Sequence, residues 1–409
     1  MKKQFIGAAA ALGVLASLVV AAPAAHAEPV CDGFAVVGSD TIQDVMTGLA
    51  NGSQATGQAV RASGNGKVAC NYDAIDPLYV AQGVQSFIHT KPFGPAILRP
   101  NGSGSGQVAL SRSIDGATAS SSRTLSISGQ IDIARSSSAP SGTAVDPTVG
   151  NLAITLAAYP FARDALSFAT NASGLTELTQ AQLTSLFTCQ NLGPNGLPQI
   201  NGVEYTPVLP QAGSGTRQFF LPIVGLSSSA TDSQSGVKFN SCVLIGQEHQ
   251  TNQLFNGQPM PANAVVVHSV AQWIAQVNGV GTDRRGAGFT LGSSITGVAP
   301  VSTVSGKLVP NPTYYANTTF GRDTYLITQA SRTYPGSSTF DNSLAALLGV
   351  SKTAGYTTAD IPGTSLLNQS TDPDTVGGVK QAFGFGADTV RDALDALYAP
   401  LRSGNLGAF

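Results

Sequence analysis

Charge is the scarcest feature of this sequence. Only 11% of its 409 residues are Asp, Glu, Lys or Arg, and the formal net charge is −2. No basic stretch exists that could displace counterions along a phosphate backbone, so nucleic acid is excluded as a partner. Histidine is scarcer still, with four in the chain. No H-E-x-x-H spacing occurs and no C-x-x-C pair, so no metal site is expected. No serine sits in G-x-S-x-G, and no G-x-x-x-x-G-K-[ST] occurs. A nucleophile elbow and a P-loop are therefore both absent. Beyond residue 22 no long apolar run follows, and no internal repeat is visible.

The first residues carry an export signal. Lys2 and Lys3 precede an apolar run over residues 5–22, and Ala25-His26-Ala27 fits a small-residue cleavage site. Residues 1–27 are read as a cleaved signal peptide. No cysteine stands where a lipid anchor would need one, since Cys31 lies past His26-Ala27-Glu28. A secreted or otherwise extracytoplasmic protein is expected. Removal of the signal leaves about 380 residues, enough for a large core and about two domains. Four cysteines in an exported chain favour disulfides. Three pairings are possible. Cys31–Cys70 and Cys189–Cys242 are preferred, because they close the shorter loops.

Strand-like and helix-like stretches alternate throughout. Strands are predicted over residues 33–37, 96–98, 131–134, 152–159, 166–169, 205–209 and 265–267. Helices are predicted over 41–51, 107–113, 178–187 (Thr179 a possible cap), 216–224, 270–277 and 388–398. Short apolar strands joined by helices imply an α/β protein with mainly parallel sheets covered on both faces. Residues 120–122 and 227–236 read as exposed loops.

Three places share one design of strand, small-residue turn and helix start. They are Val37-Gly38-Ser39-Asp40-Thr41, Asn101-Gly102-Ser103-Gly104-Ser105-Gly106 and Gly213-Ser214-Gly215-Thr216-Arg217. A helix N-terminus leaves N–H groups unpaired and carries partial positive charge, which suits an anion. Each turn alone is more often only a helix cap. A fourth segment, Ala134-Arg135-Ser136-Ser137-Ser138, adds an arginine. The candidate ligand-binding set is Ser39, Thr41, Ser103, Ser105, Arg135, Ser136, Ser137, Gly213, Ser214, Gly215, Thr216 and Arg217. Arg135 and Arg217 are the candidates for bidentate contact. Asp40 is most simply the cap of the first helix.

The order of these motifs resembles the phosphate-binding proteins of ABC transporters, which have the type II periplasmic-binding fold. Ser39-Asp40-Thr41-Ile42 resembles that family's first loop, with Thr41 in the threonine place. Asn101-Gly102-Ser103-Gly104-Ser105-Gly106 resembles its second loop, with Ser103 or Ser105 in the serine role. Asp132-Ile133-Ala134-Arg135-Ser136-Ser137 and Gly213-Ser214-Gly215-Thr216 resemble two further ligand loops. Pro160-Phe161-Ala162-Arg163-Asp164-Ala165-Leu166 resembles the strand crossing into the second lobe. The resemblance implies two doubly wound α/β lobes with a central cleft. Lobe 1 is expected over residues 28–160 and 325–409, and lobe 2 over 161–324. It also implies a monomer that binds phosphate or a related oxyanion without a cofactor and passes it to an ABC permease.

Two departures stand out. The family's pocket Asp falls at Ser137 or Ser138, and its arginine before the Gly-Ser-Gly-Thr turn falls near Pro210. A pocket carboxylate favours a protonated oxyanion over an aprotic one, so its loss bears on phosphate-versus-sulfate selectivity. Asp40 is a candidate stand-in. Two rival classes remain open, a secreted phosphatase-like enzyme and a cell-wall or surface interaction protein. A phosphatase needs a metal cluster or an activated nucleophile. Glu248, His249 and His268 show no ligand spacing for one. Trp273 is read as a helix core residue rather than a sugar platform.

Overall fold

The computed structural model describes residues 30–52, 63–64, 67–76, 86–117, 126–140, 153–234, 236–350, 365–387 and 396–398. The expected signal peptide and residues 120–122 lie outside them. Among the described residues no helix is long and apolar enough to cross a membrane.

The chain is a mixed α/β protein. Strand β1 (Phe34–Gly38) is buried along its length because helices cover both faces of the sheet. Its side chains alternate between two cores, as the pleat requires. Phe34 and Val36 pack with Val45, Met46 and Leu49 of α1 (Gln43–Asn51). Ala35 and Val37 pack with Val108, Ala109 and Leu110 of α2 (Ser103–Asp115). Each of the larger side chains contributes about 1.5–3 kcal/mol by leaving water. Strands β2 (Lys67–Asn71) and β3 (Ile133–Ser136) flank β1 in parallel.

Strand β4 (Leu156–Thr170) leaves this half of the sheet and runs 15 residues into the other. There β5 (Thr206–Pro210) lies parallel to both β6 (Leu244–Gly246) and β7 (Ala264–Ser269). Leu209, Val265 and Val267 face a core with α3 (Gln180–Phe187) and α4 (Gly215–Ile223). Val208, Ala264 and Val266 face a smaller cluster on the opposite side. Helix α5 (Val270–Val277) starts directly after β7, with Trp273 buried among its residues. Strand β8 (Gly321–Gln329) returns antiparallel to β4. Among the described residues the sheet has eleven strands, with its main path in the order β6-β5-β7-β4-β8-β3-β1-β2 and a short strand, Ser63–Gly64, at the edge.

Several expectations are corrected. The sheet is parallel toward its two ends and antiparallel at its centre, because β4 and β8 are long crossing strands rather than βαβ units. Residues 152–159 and 166–169 do not form two strands, since β4 runs through both. Pro160 lacks an N–H and cannot complete the ladder. The register shifts opposite it, between Thr324 and Tyr325. The predicted C-terminal helix is overturned at residues 396–398. Ala396–Tyr398 forms β9, antiparallel to the start of β4, while residues 388–395 lie outside the described residues. The second edge of β4 carries backbone groups that need partners there, and pairing overrides the helical periodicity. The expected lobe borders at residues 160 and 325 fall inside β4 and β8.

Helix α2 begins at Ser103, four residues before the predicted start at Gln107, so the Gly-Ser loop is its first turn. A Cβ on Gly106 would stand 2.7 Å from Gly38 Cα, so only glycine lets this turn rest on the end of β1. Helix α3 starts where predicted from its cap. The Thr179 hydroxyl accepts from the Gln182 N–H, and the Gln182 side chain accepts from the Thr179 N–H. Two disulfides are present, Cys31–Cys70 tying the approach to β1 to β2, and Cys189–Cys242 tying the end of α3 to the approach to β6.

Candidate functional site

The segments after β1, β3, β5 and β6 meet the first turns of α2, α4 and α5. Ser103 Oγ lies 3.2 Å from Ser137 Oγ and accepts the Ser137 N–H at 2.9 Å. The Gly104 N–H donates to Gly213 O at 2.9 Å. A Cβ on Gly215 would overlap Ser103 Oγ and stand 2.6 Å from Ser137 Oγ. Thr41 Oγ1 lies 3.4 Å from Thr216 Oγ1. Segments 39–41, 103–105, 136–137 and 213–216 are thus brought to one place, and Ser39, Thr41, Ser103, Ser136, Ser137, Ser214 and Thr216 are all inaccessible to solvent. Ser105 Oγ faces the Gly213 backbone, 2.8 Å from where a Cβ would stand there. Ser136 Oγ turns to Ser138 O at 2.7 Å. Ser214 caps α4, accepting the Arg217 N–H at 3.1 Å.

Neither arginine singled out in the sequence reaches this place. Arg135 turns back along the sheet. Its guanidinium donates to Ser39 O at 3.1 Å, Gly38 O at 3.0 Å, Val36 O at 3.3 Å, Tyr72 O at 3.0 Å and the Asn71 side chain. It serves carbonyls at the ends of these strands, and shares Val36 O with the Tyr72 N–H. Arg217 pairs with Asp232 at 2.7 Å, donates to Ala230 O at 2.8 Å and lies over the Phe239 ring. It anchors the loop beyond α4.

The guanidinium in the site is that of Arg322 on β8. Its Nη2 donates to Thr216 Oγ1 at 2.9 Å and to Thr41 Oγ1 at 3.3 Å. Its Nε and Nη2 both donate to Asp164 Oδ2 on β4, at 3.0 and 2.8 Å. Asp164 Oδ1 accepts from Ser269 Oγ and the Ala271 N–H at the start of α5, at 2.9 and 3.1 Å. Arg322 Nη1 is buried without a partner. A sequence signal for this pair exists. Arg163-Asp164 and Arg322-Asp323 are two of three Arg-Asp dipeptides, with Arg391-Asp392, in a chain poor in charge. The register sets Arg322 opposite Asp164 and Asp323 opposite Arg163. The pleat sends the first pair inward and the second, at 2.7 Å, to the half-buried face.

Besides Asp164, two carboxylates enter the site. Glu248 follows β6 and is buried. Its Oε1 accepts from Thr41 Oγ1 at 3.2 Å and from the Thr216 N–H at 3.3 Å, and lies 3.2 Å from His249 Nε2. Its Oε2 has no partner. Burial raises its pKa, but the His249 hydrogen bond, the Thr216 bond and Arg322 outweigh that and hold it below the usual carboxylate range. Glu248 is therefore ionised at neutral pH. Asp40 is the opposite case. Burial and then the Glu248 charge push its pKa well above the usual carboxylate range. It holds its proton more firmly than an exposed Asp, with Oδ2 accepting from Gln247 Nε2 at 2.6 Å.

His249 has a left-handed backbone, φ 59°. Its Nδ1 accepts the Ser269 N–H at 3.3 Å, which in the neutral ring assigns the proton to Nε2. That Nε2–H donates to Thr41 Oγ1 at 2.8 Å. The ring is a donor to Thr41 rather than a base for it, so the threonine is not set up as a nucleophile. His268 lies behind it, 5.1 Å between ring centroids, with its pKa lowered to about 3 by burial and then by His249. Among the described residues no group of three His, Cys, Asp or Glu is placed to hold a metal ion. The arrangement gathers buried hydroxyls, a helix N-terminus and one guanidinium nitrogen in one place, which is chemistry for holding an oxyanion.

No family model matches the chain, and no curated protein matches it. Similar solved structures exist. A high-affinity periplasmic phosphate-binding protein, PfluDING, bound with phosphate, is 12% identical, covers 87% of this chain and 90% of its own, and superposes with a TM-score of 0.43. A phosphate-binding protein from Stenotrophomonas maltophilia is 13% identical over 78% of this chain and 83% of its own, with a TM-score of 0.41. An ABC-type phosphate transport receptor from Vibrio cholerae is 16% identical over 73% and 87%, with a TM-score of 0.36.

Proposed function

We propose that this chain is an extracytoplasmic solute-binding protein that takes a small oxyanion, phosphate or a chemical relative, where α2, α4 and the segment after β1 meet. The observation that carries this reading is Arg322, a guanidinium 2% exposed, bonded to both site threonines and left with one unpartnered nitrogen. A buried donor of that strength without an acceptor marks the place of a ligand. Ser39 Oγ, equally buried and unpartnered, supports it.

The ligand sits between the two halves of the molecule, residues 28–160 with 325–409 and residues 161–324. These close over it by bending at β4 and β8. No chemistry on the ligand is required. The protein acts as a secreted monomer and hands its ligand to an ABC-type permease.

Thermal unfolding with phosphate, arsenate, sulfate and small carboxylates tests the reading. A true ligand at a hundred times its Kd adds about 2.7 kcal/mol of stability. Thr216→Ala and Ser103→Ala each weaken binding by about 1–3 kcal/mol. No stabilisation by any oxyanion, or unchanged affinity in both variants, refutes the site as drawn.

A further inference from the structure

We propose that Glu248 is a tethered competitor for the oxyanion site, a carboxylate of the protein's own that holds the ligand's donors until the ligand displaces it. This rests on the oxyanion reading above and goes past it to what sets affinity.

The position of Glu248 carries the inference. Its Oε1 takes the Thr216 N–H at the first turn of α4 and the Thr41 hydroxyl, at 3.3 and 3.2 Å. Those are the donors an arriving oxyanion needs, alongside Arg322, which bonds both threonines. The carboxylate is inside the site rather than beside it: the residue is 1% exposed. One oxygen is satisfied and the other has no partner. That is half of what a ligand with several oxygens would engage.

The groups around Glu248 keep it there. Its own N–H donates to Gln211 Oε1 at 2.8 Å, fixing the backbone after β6. His249 Nε2 stands 3.2 Å from Oε1. Of the other two carboxylates nearby, Asp40 faces Gln247 and Asp164 takes the Arg322 guanidinium, and neither is bonded to the threonines. One hydroxyl hydrogen and one amide hydrogen cannot serve two anions at once. The ligand must turn Glu248 away or add its charge to a like charge in a dry cleft, and both weaken binding.

Calorimetric titration of folded wild type, Glu248→Gln and Glu248→Ala with phosphate and with sulfate at pH 7.5 decides the matter. The glutamine keeps an acceptor oxygen and loses the charge, while the alanine empties the spot. Circular dichroism establishes that each variant is folded. The expected result is that both anions bind both variants about tenfold or more tightly than wild type, the least expected from removing a like charge at this range. Unchanged or weaker binding of both anions by the variants overturns the competitor role and leaves the oxyanion site standing. Loss of phosphate with gain of sulfate also overturns it, because the carboxylate would then be accepting a proton from the ligand. If no anion binds wild type or either variant, the site reading falls and this inference with it.

Discussion

The Arg322–Asp164 pair should affect stability and affinity in different ways, and that difference tests whether its charge faces a ligand. Both side chains are at most 1% exposed. Arg322→Gln removes both donors to Asp164 Oδ2 and leaves a buried carboxylate with only Ser269 Oγ and the Ala271 N–H. Breaking such a pair from one side destabilises by about 3–5 kcal/mol. Asp164→Asn strands the guanidinium and has a similar effect. The double variant Asp164→Asn/Arg322→Gln removes both charges of the pair, while Glu248 loses the nearby guanidinium, so its loss of stability is smaller than the sum of the two single losses. Affinity follows another rule. Arg322→Gln and the double variant both lose a charge-assisted contact and bind phosphate about 1.5–3 kcal/mol more weakly. Asp164→Asn frees the guanidinium from its carboxylate and binds more tightly than wild type. Urea midpoints give the stabilities, and calorimetry on folded protein gives the affinities. If folded Asp164→Asn bound phosphate more weakly than Arg322→Gln, the guanidinium would not face a ligand. If the two stability losses simply added in the double variant, the pair would not be coupled.

Three further outcomes are expected. His268 stays neutral when folded, with a pKa near 3 against 6.5 in the unfolded chain, so its contribution is complete above pH 6.5 and is lost as pH falls toward 3. Wild type therefore loses up to about 2 kcal/mol more than His268→Gln between pH 7 and 5, measured by urea unfolding. The raised pKa of Asp40 acts in the opposite sense but equally in both proteins, and equal pH slopes would refute the assignment. Gly215→Ala forces a methyl group into the Ser103 and Ser137 hydroxyls and lowers stability by about 1–3 kcal/mol while abolishing phosphate stabilisation in a thermal melt. A neutral effect would mean that these segments do not meet. Reduction of either disulfide, which close sequence separations of 39 and 53 residues, destabilises by about 4 kcal/mol in the loop-entropy account, checked by melting with and without reductant.

The alternation of strands and helices, the Thr179 cap and the run of α5 were legible because each rests on local signals of period or capping. The sheet's centre was not. Residues 152–159 and 166–169 read as two strands because Pro160 punctuates them, yet a bulge at Pro160-Phe161, opposite Thr324 and Tyr325, absorbs the missing N–H and β4 continues. Residues 396–398 have helical spacing within 388–398, but backbone pairing with β4 decides their form. Local preference loses wherever a distant strand offers partners for backbone groups.

The site shows the same division more sharply. Its neutral donors could be read from sequence, because a Gly-Ser turn at a helix start places its own N–H and hydroxyl groups. Its charge could not be read that way, because where a guanidinium points depends on the strand opposite. Arg135 directly precedes Ser136 and Ser137, yet its length lets it turn back to carbonyls at or just past the ends of β1 and β2. Arg322 lies far from every motif and reaches the threonines because antiparallel register sets it across from Asp164. In a chain with so few charges, two of the three Arg-Asp dipeptides, Arg163-Asp164 and Arg322-Asp323, were the informative signal. Two such dipeptides on antiparallel strands form one inward and one outward ion pair, and the inward one must meet a buried cleft. The charge on this site therefore follows from pairing between distant strands, whereas its hydroxyls follow from turns. Substitutions in the turns should change affinity without shifting the β4–β8 register, and substitutions that slip that register by one residue should remove the charge and leave the turns intact.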